Sequence, residues 1–68
     1  MTRLKINGVD EEVAATTVAQ LLAARGIDPA ARFLAVAING EVVRRAVWCE
    51  AALRAGDAVE IVRPLQGG

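Results

Sequence analysis

The chain has 68 residues, 54% of them hydrophobic, and its eight Lys plus Arg balance eight Asp plus Glu. At this length there is room for one core and one domain, residues 1–68, near the lower limit for unaided folding; the zero net charge lacks the electrostatic footprint of a nucleic-acid binder. With no histidine and a single cysteine, Cys49, the chain offers no zinc site, Ser-His-Asp triad or Cys-His pair of its own.

A lone cysteine forms no internal disulfide, no run approaches the ~20 apolar residues of a membrane span, and no leader pattern follows Met1. A cytoplasmic protein is the expectation. Phe33 and Trp48 are the only aromatic residues, so the core is expected to be aliphatic.

Thr2 to Ile6 alternates strictly, Asn7-Gly8 supplies the two positive-φ positions of a type I′ turn, and Val9 to Val13 returns as the second strand of a hairpin. A two-residue loop sets Lys5 opposite Asp10 and Arg3 opposite Glu12, away from the face of Leu4 and Ile6. Thr17-Val18-Ala19-Gln20 reads as a capping box opening a short helix with Val18, Leu21 and Leu22 as its apolar stripe. Gly26 suits the position after the helix end, and Asp28-Pro29 prevents continuation.

The next strand carries Leu34, Val36 and Ile38 on one face and Ala35 and Ala37 on the other. Asn39-Gly40 then repeats the I′ signal before Glu41-Val42-Val43. From Arg44 to Gly56 the chain reads as irregular, with Arg44-Arg45 as a solvated turn and Trp48 and Leu53 as anchors. Gly56-Asp57 turns into a last strand, Ala58 to Arg63, with Val59 and Ile61 inward, and Pro64 should end the sheet. Two hairpins and one helix predict an α+β fold: a β-grasp with a mixed sheet of four to five strands, the helix across one face, and the first and last strands as parallel central neighbours.

After Arg63 the sequence reads Pro64-Leu65-Gln66-Gly67-Gly68. Glycine has no Cβ, so a Gly-Gly end fits a channel too narrow for other residues; five residues reach at most about 16–18 Å at ~3.3–3.6 Å each. The plain alternative is a frayed end, since termini collect small residues. The tail, residues 64–68, is expected to be mobile until bound.

The segment Val36-Ala37-Ile38-Asn39-Gly40-Glu41-Val42-Val43, then Trp48, Leu53, Gly56-Asp57-Ala58-Val59-Glu60-Ile61-Val62 and Gln66-Gly67-Gly68 resembles the ThiS family, the sulfur carriers of bacterial thiamine biosynthesis, along the whole chain. The resemblance implies a ubiquitin-like β-grasp and a protein co-substrate rather than an enzyme. It implies that the Gly68 carboxylate is adenylated by an E1-like adenylyltransferase using MgATP, that a cysteine desulfurase or rhodanese-type donor supplies sulfur, and that the resulting thiocarboxylate serves thiazole synthase. Gly67, Gln66 and Leu65 would enter the partners' active sites. This chain has no Gly-rich phosphate loop followed by Lys and Ser or Thr, so no cofactor is expected on it. The family often has proline where this chain has Arg44, a departure expected to alter the loop.

Ala35, Ala37, Val42, Ala58 and Val62 should share the sheet face away from the helix. An apolar patch there suits partner docking, although small alanine-rich surfaces are ordinary on tiny domains. Arg63 could steer the tail into an acidic groove or simply be solvated. Cys49 reads as packing or a bystander, since nothing beside it in sequence lowers a thiol pKa, and Asp57 as a turn residue. The rival functions are the small subunit of molybdopterin synthase, a ubiquitin-like modifier of lysines, a pure binding module and an enzyme using Cys49. A free carrier of this size is expected to be a monomer.

Overall fold

A computed structural model describes residues 1–63. Its strands are β1 (Thr2–Ile6), β2 (Val9–Val13), β3 (Ala35–Ile38), β4 (Glu41–Val43) and β5 (Ala58–Val62), with one helix, α1 (Val18–Ala24), and a 3-10 turn at Arg45–Val47. The sheet order is β2-β1-β5-β3-β4. β1 and β5 run parallel in its interior, with Lys5 beside Ala58 and Ile6 beside Val59. The expected β-grasp is therefore present, with five strands.

The first hairpin has the expected register, and the second closes on the expected Asn39-Gly40 turn. Arg3 faces Glu12 and Lys5 faces Asp10, while Ala37 faces Val42 and Val36 faces Val43. Asn7 and Gly8 hold φ of 49 and 84, and Asn39 and Gly40 hold 52 and 84, as a I′ turn requires. The cross-strand ion pair that forms is Arg3–Glu12 at 3.9 Å, with both side chains more than half exposed, so it contributes at the low end of roughly 0.2–1 kcal/mol.

The helix is defined by its ends. Thr17 Oγ1 accepts from the Gln20 N–H at 3.2 Å. Gln20 Oε1 accepts from the N–H and hydroxyl of Thr16 at 2.8 and 2.9 Å. The reciprocal half of the expected capping box is thus displaced by one residue. Beside it runs the bridge between Thr17 and Ala52, in which Val18 N–H donates to Ala51 O and Leu53 N–H to Thr16 O; these bonds hold the helix entry against the long connection. At the other end, Gly26 has φ 72. Gly26 N–H donates to Ala23 O and Ile27 N–H to Leu22 O, the two bonds of a Schellman motif, and buried Ile27 and Leu22 supply its usual apolar contact.

The core lies between α1 and one face of the sheet. Leu4, Ile6, Val36 and Val59 of the strands and Val18, Leu21 and Leu22 of the helix are the largest fully buried side chains, each worth about 1.5–3 kcal/mol relative to exposure. Trp48 and Leu53 are buried as expected of anchors, and Trp48 Nε1 donates to Val43 O at 2.8 Å.

One expectation for the connection needs correction. Arg45 is not a solvated turn charge: its guanidinium donates to the carbonyls of Pro29, Ala31 and Leu34 and lies 4.8 Å from the centre of the Trp48 ring. Arg44, where the family often has proline, has φ −67 and ψ 143, a φ that proline would also adopt. The last strand closes at Val62, one residue earlier than read from the sequence.

Candidate functional site

β5 leads the chain toward Arg63, so the site begins with what fixes this strand. Its inward residues Val59 and Ile61 are buried in the core. Its backbone is bonded to β1 on one side and β3 on the other. The two hairpin asparagines add a further hold. Asn39 N–H donates to Ala58 O at 2.8 Å, and its side-chain oxygen accepts from the Ala58 N–H at 3.0 Å. Asn39 Nδ2 donates to Asp57 Oδ1 at 3.0 Å, and Asp57 Oδ2 accepts from the Arg54 N–H at 2.9 Å. Asp57 is therefore more than a turn residue: it joins the second hairpin to the entry of β5.

At the far end of the same strand, Asn7 N–H donates to Val59 O at 2.9 Å. The Asn7 amide then brackets Ile61, accepting from its N–H at 2.8 Å and donating to its carbonyl at 3.3 Å. That side chain acts as one more rung of the parallel ladder after β1 has turned away. Asn-Gly spacing predicted the turns alone; the amide bonds to β5 become visible only when sequence separations of 19 and 54 residues are closed.

Among the described residues nothing covers the outer face of the sheet. Ala35 pairs with Val62 and Ala37 with both Glu60 and Val42, and these residues line a shallow groove together with Val36. Val42 is 76% and Val62 58% exposed. Ala58 shares the face, beside Lys5 on the neighbouring strand, and is not among the residues lining this groove. Glu60 was not expected there, although the alternation Ala58, Glu60, Val62 contains the signal. A carboxylate between alanines and valines makes the face amphipathic.

Arg63 is exposed directly after β5. Leu65, Gln66, Gly67 and Gly68, the expected tail, and with them its expected mobility, lie outside the described residues. Cys49 is exposed, which removes the packing role considered for it. Among the described residues no group of His, Cys, Asp and Glu could hold a metal ion, and no helix is long and apolar enough to cross a membrane.

Phe33 is the feature that sequence reading missed. It is 79% exposed and has φ 63, a left-handed conformation costing an L-residue with a bulky side chain roughly 1–2 kcal/mol. Asparagine or glycine would mark such a site; phenylalanine does not. The Arg45 bonds to Ala31 and Leu34 hold the carbonyls on both sides of it.

Comparison with known proteins accords with this architecture. The ThiS family model matches residues 4–68. A crystal structure of the thiamine biosynthesis protein ThiS from Geobacter metallireducens is 31% identical, covers 98% of this chain and 100% of its own, and superposes with a TM-score of 0.79. An NMR solution structure of a thiamine biosynthesis protein from the same organism is 31% identical over 98% of this chain and 88% of its own, with a TM-score of 0.78. A search of curated protein sequences gives no significant match. With the family match running over nearly the whole chain and the fold shared throughout, the chain belongs to the ThiS family of thiamine-biosynthesis sulfur carriers.

Proposed function

We propose that this chain carries sulfur as a thiocarboxylate on Gly68 and delivers it to thiazole synthase. The observation that supports the reading most is the family match, which extends through Gln66-Gly67-Gly68. A central strand held at both ends by Asn39 and Asn7 supplies a rigid base for that segment.

The chemistry follows from the carboxylate itself. With a pKa near ~3.5 it is ionised at neutral pH and resists attack by a nucleophile. A carboxylate oxygen therefore attacks the α-phosphorus of MgATP bound by an E1-like adenylyltransferase, and pyrophosphate leaves. The terminal sulfur of a persulfide, formed by a cysteine desulfurase or rhodanese-type donor, attacks the acyl carbon and expels AMP. A second thiol then cleaves the sulfur–sulfur bond, leaving the thiocarboxylate on Gly68. Transfer of that sulfur to the thiazole precursor, in exchange for an oxygen from the precursor or from water, returns the carboxylate. The chain supplies no catalytic group to these steps; Leu65, Gln66 and Gly67 present the reacting carbon, and the groove of Ala35, Ala37, Val42 and Val62, with Arg63, docks the activating enzyme.

Pyrophosphate release tests the activation step. With the matching adenylyltransferase and MgATP, the chain should stimulate release, while a chain lacking Gly68 or extended by one alanine should not. Equal release with the extended chain would refute activation at the Gly68 carboxylate.

A further inference from the structure

The end of the sheet from which the chain continues past Arg63 has a character the sequence order conceals. Ala35 pairs with Val62 and Val36 with Val43, so residues 32–34, 44–45 and 63 converge at one end. These stretches hold Arg32, Arg44, Arg45 and Arg63, half of the eight cations in the chain, and no acidic residue. Arg45 is committed to three loop carbonyls and the Trp48 ring. Arg32, Arg44 and Arg63 are exposed.

Phe33 stands among them. Its ring lies 5.8 Å from the Arg32 guanidinium, and it stands two residues before Ala35 of the outer-face groove. An aromatic side chain held in water by a clamped, left-handed backbone contributes nothing to the core. Exposed aromatics and arginines are the residue types that dominate protein interfaces.

We propose that Phe33 is the docking anchor of this surface, inserting into an apolar pocket of the adenylyltransferase whose rim is acidic and pairs with Arg32, Arg44 and Arg63. The inference rests on the proposed function and specifies its partner's chemistry. An acidic rim is the complement of the arginines at this end of the sheet, and such complementarity acts mainly on the encounter rate and its salt dependence. The pocket adds the apolar contact that slows dissociation.

The test is the dependence of pyrophosphate release on carrier concentration, with the full chain and the matching adenylyltransferase. Phe33→Asn suits the left-handed backbone and should leave thermal unfolding intact while raising KM for the carrier about tenfold, with kcat changed little. Arg63→Glu should raise KM most at low salt, and the difference should shrink as salt screens the charges. A KM for Phe33→Asn within twofold of the parent, with parent activity normal, overturns the anchor and leaves the proposed function standing. No release from the parent chain itself overturns both.

Discussion

The two faces of the one sheet differ more than their strands do. Facing α1, Leu4, Ile6, Val36 and Val59 are almost wholly removed from water. On the reverse, Ala35, Ala37, Val42 and Val62 surround Glu60 with nothing across from them among the described residues. The inner face is made of large aliphatic side chains that a helix must cover. The outer one is made of small residues that allow close approach by another surface. The core and the proposed docking surface thus lie on opposite sides of the same backbone, so a substitution should be able to damage either one alone.

Substitutions ordered by expected effect can break or sharpen that contrast. Leu22→Ala removes a fully buried side chain and should cost about 2–5 kcal/mol, a large part of the roughly 3–10 kcal/mol expected for a domain of this size. Urea unfolding measures it, and a loss below about 1 kcal/mol would contradict the assignment of the core to this face. Asn7→Gly keeps the turn but removes both amide bonds to Ile61; a loss of roughly 1–3 kcal/mol is expected. Hydrogen exchange should show the Ile61 amide losing more protection than that of Leu21, and equal losses would mean that Asn7 does not pin β5 in particular. Arg45→Lys loses the planar fork that reaches the Ala31 and Leu34 carbonyls and should cost about 1 kcal/mol, read as a thermal shift of about 4–8 °C.

Val42→Glu should change stability least, within about 0.5 kcal/mol, because Val42 is already largely exposed. It should nevertheless weaken activation by the adenylyltransferase. Unchanged thiocarboxylate yield at limiting enzyme would remove the groove from the docking surface.

The contrast between the faces was legible in the sequence because strands alternate with period two, and a pair of Asn-Gly turns fixed both registers. What escaped was set by contacts distant in sequence. Gln20 bonds Thr16 rather than Thr17, and the helix entry is bridged to the distant Ala52. Arg45 reaches carbonyls 11 to 16 residues away, beyond any local pattern. Phe33 gave no sign of its left-handed backbone, since intrinsic preference argues against it and tertiary contacts hold it there.

Intact mass tests the central claim most directly. The full chain is incubated with MgATP, the matching adenylyltransferase, a cysteine desulfurase, cysteine and a thiol reductant, beside a chain lacking Gly68. A gain equal to replacement of one oxygen by sulfur, seen only in the full chain and placed by fragmentation on Gly68, is the predicted result. An unchanged mass with an adenylyltransferase that releases pyrophosphate, or the same gain in the chain lacking Gly68, would contradict a sulfur carrier working through its terminal glycine.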